Sequence, residues 1–539
     1  MTSKQTISKQ DKTAGQTKKR WVLLGLSLLL FISVLIPLFY IAEDKVEKKL
    51  LELVNSELSP NSEMFFDDFS LNLLPLGISI KGVSLLRYQP YDEQTPPKPT
   101  DAIRNLAIEE ISLSGISLIT LLRREHIELK KFNLQGLHLE VVRLDSISIS
   151  DSTTTHDPLP ISVSEILFSD LSLKLYETPF SDSFSTEFQN LSGKMTEFNL
   201  SDPSQLNSFT FEEAEITLDH FNHYSENGFY ETSLDSFRLH TIHDQITFSH
   251  FHLRPLMNAY EMALEIGYPI DNYDLQIPYL KIEQIDLRRW IDDEEIIAGK
   301  ITLTEPVFSI SRDKSLPRRE RAERLLPHMQ FKNLPISVEI DTITVGNGSL
   351  SYREGVAVEN KAGTISFTEI DLTLNSMVNH ASDVIFAEAT ALFMDQSEFD
   401  LNVEFYLDNS GKHSVSGNLY QLDLTTMNTT LENLVQIRLD TGEIQQLNFQ
   451  FEADDDGSYG NLLLIYSDLD LRFIDHETRI ERGWDRVRSF IANTFLIRSN
   501  NVAEDPRSGE IKYDRDKERS IFSFWLRSLS TGLMDTIKR

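Results

Sequence analysis

The chain contains no cysteine, so it can form no disulfide, no thiolate metal site and no cysteine nucleophile on either side of a membrane. It is also short of positive charge: 51 Lys+Arg stand against 83 Asp+Glu, a formal net charge of -32. No broad basic surface is left to neutralise phosphates, which argues against a nucleic-acid partner. The excess acid reads as a solvated outer face that keeps a long β protein in solution rather than as an ion store. The motifs of the common catalytic classes are missing as well, with no G-x-S-x-G elbow, P-loop, H-E-x-x-H helix or complete EF-hand loop. We expect neither an enzyme nor a cofactor. At 539 residues the chain exceeds one compact core and divides into domains or forms an elongated body of repeats.

A run of 22 residues without a charge, WVLLGLSLLLFISVLIPLFYIA at 21–42, is long enough to cross a hydrocarbon core as a helix. Lys4, Lys9, Lys12, Lys18, Lys19 and Arg20 precede it against the single acid Asp11, which places a basic tail at 1–20 on the cytoplasmic side and the bulk outside. A cleaved signal peptide is the competing reading. The run is longer than a usual signal core and ends Tyr40-Ile41-Ala42, without the small-x-small cleavage pattern, so an uncleaved anchor is favoured. Over 43–60, Val46, Leu50, Val54 and Leu58 recur every four residues and predict a juxtamembrane amphipathic helix that Ser59-Pro60 stops.

Beyond residue 60 the apolar period becomes two. FSLNL and LGISI, separated by Leu74-Pro75, predict strand, turn and strand, and similar alternation continues to about residue 473. Apolar residues take one face and Ser, Asn, Asp, Glu, Gln and Lys the other, the pattern of one-sided antiparallel strands. The chain also matches itself at an offset of roughly 170 to 177 residues. LAIEEISL at 106–113 resembles LKIEQIDL at 280–287, FNLQGLHLEVVR at 132–143 matches ITLTEPVFSISR at 301–312, and LPIS occurs at 159–162 and 334–337. We therefore expect β modules at 61–205 and 206–380, the second repeating the first with an inserted basic helix at 316–329. A third β module follows at 381–475, and a helical closing segment at 476–539. Within that segment an apolar stripe over 519–538 predicts a helix packed on the sheet, and another helix is expected over 484–500. Polar loops are expected at 88–101 and 146–158.

The histidines at 220, 223, 240, 243, 250 and 252 form the best metal candidate, since His250 and His252 would share one face of a strand. No carboxylate stands at motif spacing, so edge histidines are the default reading and no metal is assigned. The acid runs at 292–295 and 454–456 read as solvated turns.

The basic tail, single span and amphipathic helix, with FSLNLLPLGISIKGVSLL at 69–86 and IEEISLSGISLITLLRREHIELKKFNLQGLHLEV at 108–141, resemble the N-terminal part of AsmA-like proteins. HSVSGNLYQLDLTTMN, FIANTFLIRSNN and KYDRDKERSIFSFWLRSLSTGLMDTIK are similar to the closing module of that family. The resemblance implies an all-β fold: an elongated, mostly antiparallel twisted β-groove of degenerate repeats, related to bridge-like lipid-transfer proteins, in a Gram-negative inner-membrane protein whose bulk is periplasmic. Its implied role is phospholipid transfer or outer-membrane homeostasis, with the inner membrane and phospholipid as partners and the outer membrane or envelope proteins as further candidates. The alternative is an envelope scaffold that binds proteins and carries no lipid. A long one-sided sheet with few helices must hide its apolar face or cover it with something else, because leaving it wet forfeits about 25 cal/mol per Å². The candidate groove residues are Leu71, Leu73, Ile78, Ile80, Ile108, Leu113, Leu139, Leu173, Phe399, Leu401, Val403 and Phe405. Each of them could equally be protein core.

Overall fold

The computed structural model describes residues 43–538 apart from 53, 57, 59–61, 88–101, 124–125, 144–158, 179–180, 182, 203–207, 318–322, 357–360, 382, 436 and 475–496. The basic tail, the expected span, both polar loops and nearly all of the helix expected over 484–500 lie outside the described residues. Among the described residues no helix is long and apolar enough to cross a membrane, and the regular structure is mostly β-strand with mostly antiparallel pairing. The chain divides into two compact units, 1–183 with 196–210 and 184–195 with 211–539.

In the first unit a helix over 43–56 (α1, residue 53 aside) is followed by two short strands, β1 (Ser62–Phe65) and β2 (Asp68–Leu73). Both lie antiparallel on β3 (Leu76–Arg87), so the expected strand, turn and strand is present. Helix α1 covers the outer edge of this pair through its side chains. Asn55 Nδ2 donates to the Met64 carbonyl at 3.3 Å while Asn55 Oδ1 accepts from the Met64 amide at 2.7 Å, and Glu43 accepts from the Leu71 amide at 3.0 Å. These bonds satisfy edge groups that would otherwise template another strand. From β3 the sheet continues to β4 (Ile103–Ser114), the short helix α2 (Leu118–Arg123) and β5 (Ile127–Val142), all antiparallel. The next strand, β6 (Ile161–Tyr176), departs from expectation by pairing parallel with β5. A long crossover separates the two strands, and such a connection lets the chain return in the same direction.

The second unit begins with the start of β7 (Thr186–Leu200), whose last residues pair with β8 (Phe209–Thr210) in the first unit. It continues through β9 (Glu213–Leu218), β10 (His220–Tyr224), β11 (Tyr230–Leu234), β12 (Ser236–His240) and β13 (Gln245–Pro255). After helix α3 (Ala259–Ile266), β14 (Asp271–Glu283) pairs with β13, helix α4 (Leu287–Asp293) turns the chain, and β15 (Ile296–Thr304) and β16 (Val307–Asp313) return along β14. Both then pair parallel with β17 (Val338–Val356).

The order β4, α2, β5, β6 is thus repeated as β14, α4, β15 with β16, β17, each ending in a parallel pair. Leu113 pairs with Phe132 and Ile282 with Ile301, while Leu139 pairs with Leu173 and Phe308 with Leu350. The register corrects one landmark: 106–113 corresponds to 275–282, not to 280–287, because Leu287 already opens α4. The two strings look alike because both carry the same three-residue step between isoleucines, Ile108 to Ile111 and Ile282 to Ile285, although a slip of five residues would reverse the faces of an alternating strand.

Helix α5 (Pro327–Lys332) occupies only the end of the helix expected over 316–329; residues 323–326 have no regular structure, Leu326 being extended before Pro327, and 318–322 lie outside the described residues. Proline at the first helical turn fixes that start. Strands β18 (Lys361–Val378), β19 (Val384–Phe393), β20 (Ser397–Tyr406) and β21 (His413–Asp423) are followed by helix α6 (Asn428–Val435). Then β22 (Ile437–Ala453), β23 (Gly457–Phe473) and β24 (Ser508–Asp514) lead to α7 (Ile521–Ile537). Strands β17 to β24 pair antiparallel in sequence order. Helix α7 packs on the sheet as its stripe predicts and also covers the β24 edge: Thr531 Oγ1 accepts from the Lys512 amide and Asp535 Oδ2 from the Glu510 amide, both at 3.1 Å. Gly532 permits that approach, since a Cβ there would lie 2.9 Å from Ile511 Cγ1 and 3.0 Å from Leu462 Cβ.

Candidate binding surface

Strict alternation would send half of each long strand's apolar residues to the wrong face after any odd spacing. Strands β3 to β6 all carry such a spacing, as Ile80 to Val83, Ile108 to Ile111, Leu134 to Leu137 and Phe168 to Leu171. A kink resets the pattern. Gly82, Gly136 and Asp170 take positive φ of 62°, 64° and 55°, and a Cβ on Gly136 would stand 2.2 Å from Glu109 Cγ, so glycine is required there. Glu109 and Glu110 both take the polar face as a result, the first accepting from Gln135 Nε2 at 3.2 Å and the second from Ser79 Oγ at 3.1 Å. Their apolar neighbours Ile108 and Ile111 consequently share the other face.

The register then aligns apolar residues in rows across the first unit. One row runs Leu71, Ile78, Leu113, Phe132, Ile166; the next runs Phe69, Ile80, Ile111, Leu134, Phe168. Past the kink follow Val83, Ile108 and Leu137, then Leu106, Leu139 and Leu173. Leu73 holds the register position opposite Leu76. Most of these side chains are half-buried, Phe69 and Val83 being buried. Among the described residues, the clusters of buried hydrophobic side chains all belong to the second unit. The opposite face pairs Ser70 with Ser79 and Ser79 with Ser112, so the two sides of this sheet differ sharply in polarity. Geometrically the apolar side is a lane several strands wide, without a charged residue in its rows.

The second copy of the repeat is partly closed. Ile282, Ile301 and Ile343 occupy equivalent rows but pack, with Phe331 of α5, against buried Ala298, Val338 and Ile340. Closure is complete toward the C-terminus. Val403 is buried, and Phe399, Leu401 and Phe405 pack against a core that includes Val415, Phe451, Leu462, Ile511 and Phe524 of α7. The structure therefore separates the candidate groove residues: Leu71, Ile78, Ile80, Ile108, Leu113, Leu139 and Leu173 lie on the lane of the first unit, with Leu73 at a register position opposite Leu76, whereas Phe399, Leu401, Val403 and Phe405 belong to a closed core. The sequence strings are alike in the two regions; the difference comes from α7 and from Leu326, 1 % exposed, which plugs the same core.

That core holds a histidine pair with no motif to announce it. His413 Nε2 accepts from Trp525 Nε1 at 3.0 Å, and its Nδ1 lies 3.0 Å from the Gly411 carbonyl. Indole can only donate, so Nδ1 carries the proton and the ring is neutral; burial keeps its pKa below the ordinary value. His328 is centred 5.0 Å from the Phe405 ring and 5.4 Å from the His413 ring. Burial, then the neighbouring His413, push its pKa down to about 4.

The expected histidine cluster does not converge. His250 takes positive φ and lies 3.4 Å from Asp235, whereas His252 lies 3.0 Å from Asp274. The left-handed backbone at His250 is why strand periodicity misplaces its side chain. Among the described residues no group of three or more metal-ligating side chains occurs. The acid run at 454–456 is a hairpin turn between β22 and β23, with Asp454 accepting from the Asp456 and Gly457 amides at 2.8 and 2.9 Å. Asp455 has a further role: it pairs with the buried Arg515 and, at 2.7 Å, with Lys517. Burial raises its pKa, but these bonds and charges outweigh it and hold the carboxyl below the usual range. The other run is only partly a turn, since Asp292 and Asp293 close α4 before Glu294 caps it in the left-handed region.

No protein-family profile matches the chain, and no curated protein matches it.

Proposed function

We propose that the chain is a membrane-tethered, AsmA-like lipid-handling protein whose first-unit lane takes phospholipid acyl chains, in lipid transfer or outer-membrane homeostasis in the periplasm of a Gram-negative cell. The observation that supports the reading is the contrast within one molecule. Similar aliphatic rows are sealed by helices and buried side chains toward the C-terminus but, Phe69 and Val83 aside, stay half-buried on β2 to β6. A flexible hydrocarbon chain lying along such rows replaces water at about 25 cal/mol per Å², and the charge-free lane imposes no desolvation of ionic groups. The lane residues carry the binding, and no catalytic group or cofactor enters the proposal.

Native mass spectrometry of the detergent-extracted chain tests it. The wild type should retain phospholipid, and Leu113→Glu with Leu139→Glu should lose it while circular dichroism still reports a folded sheet. Phe405→Glu should instead unfold the C-terminal core. A wild type that emerges free of lipid and bound to a protein would favour the scaffold reading.

A further inference from the structure

The first unit carries exposed aliphatic side chains that its own fold does not use. Leu74, in the turn between β2 and β3, is 97 % exposed, and Ile119 and Leu122 of α2 are 66 % and 80 % exposed. They lie at the same end of neighbouring strands, Leu74 before β3 and α2 between β4 and β5. The Ile116 amide donates to the Leu76 carbonyl and the Ser117 amide to the Glu128 carbonyl, both at 3.0 Å, which ties the segment leading into α2 to the strand that follows Leu74. Scattered exposed leucines are ordinary; three large aliphatics gathered on adjoining turns are a patch that calls for an occupant.

Helix α1 begins at this same end. Glu43, the first described residue, accepts from the Leu71 amide at 3.0 Å, three positions before Leu74. The uncharged run at 21–42 therefore joins the fold beside the patch. We infer that Leu74, Ile119 and Leu122 form a docking tip that enters the interfacial layer of the bilayer from which the chain emerges, an inference resting on the reading of 21–42 as a span. Interfacial elements bury their apolar side chains about 5–10 Å into that layer. Arg123, at the end of α2, and the exposed Lys130 are placed to meet lipid headgroups. The tip fixes which rim of the lane faces the membrane, and it brings the first lane row, at Leu71, close to the lipid.

The absence of cysteine permits a direct test on the full chain. Leu74→Cys, Ile119→Cys and Leu122→Cys each take an environment-sensitive fluorophore, with Leu86→Cys as control. Leu86 is also exposed, at 52 %, but stands ten strand residues beyond Leu76, about 33 Å at ~3.3 Å per residue. In vesicles of phosphatidylethanolamine and phosphatidylglycerol containing nitroxide-labelled phospholipid, the three tip positions should be quenched at least threefold more than Leu86→Cys. Equal quenching overturns the inference, as does shielding of the tip from aqueous iodide without quenching by lipid, which would mark a protein partner. An alkaline wash tells the failures apart: protein stripped from the vesicles means that 21–42 does not span, and retained protein with an unquenched tip means that the tip does not dock. The Leu113→Glu, Leu139→Glu variant should keep tip quenching, because the tip does not depend on lipid in the lane.

Discussion

Leu139→Ala and Leu462→Ala remove the same atoms from two strands of similar sequence, yet the structure requires different costs. Leu462 is 1 % exposed and lies in the core beneath Gly532 of α7. Its truncation loses the full transfer energy and leaves a cavity that the helix cannot fill, about 3–5 kcal/mol. Leu139 is half-buried on the lane. Its truncation forfeits about half of the ~2 kcal/mol transfer term and leaves no closed void, so the cost should be about 1 kcal/mol. A chain of two units has no single unfolding free energy, so the assay is amide hydrogen exchange on lipid-stripped protein, read separately for β4–β5 and β22–β23 peptides. Exchange should accelerate roughly fivefold in the first and more than a hundredfold in the second. Equal acceleration would mean that the lane is as closed as the core, and the reasoning would be refuted.

Acid should loosen the C-terminal core through His328. Its folded pKa of about 4 lies below the ordinary value near 6.5, so the unfolded chain takes up the proton first and stability falls as pH drops from about 6.5 to about 4, by about 3 kcal/mol. His328→Leu should flatten that part of the pH profile of the C-terminal unit's own melting transition, and an unchanged slope would show that the ring is not held neutral. Gly532→Ala should destabilise the C-terminal core by about 1–3 kcal/mol although alanine is the better helix former, because its Cβ would press on Ile511 and Leu462. Slower amide exchange in the β23–β24 peptides of that variant would contradict the close helix–sheet approach.

The one-sided strands were legible because alternation is a local signal: β2 and β3 fall on FSLNL and LGISI, and the α7 stripe on Trp525, Leu529, Leu533 and Ile537, although Phe522 and Leu526, expected on that stripe, are exposed and Phe524 takes the buried place. The repeat was legible in order but not in register, since 280–287 resembles 106–113 while the strand pairing joins 275–282 to its partner rows. Parallel pairing of β6 and β17 is set by where a crossover returns, which no strand's own residues encode. The site divided for a similar reason. Phe399 to Phe405 read like Leu71 to Ile80, and only the distant Phe524 and Leu326 decide that the former are core. Gly82 and Gly136 were visible as glycines, but their left-handed kinks, which keep both halves of each strand on one face, emerge only when neighbouring strands are paired.

The central claim is that hydrocarbon occupies the first-unit lane and is excluded from the C-terminal core. A phospholipid with a photoreactive diazirine at its acyl terminus, equilibrated with the reconstituted chain and irradiated, reads this out by peptide mass spectrometry. Crosslinks should concentrate on 76–87, 103–114, 127–142 and 161–176 and be sparse on 397–406 and 457–473. Crosslinks spread evenly over both regions, or confined to 21–42, would contradict the account.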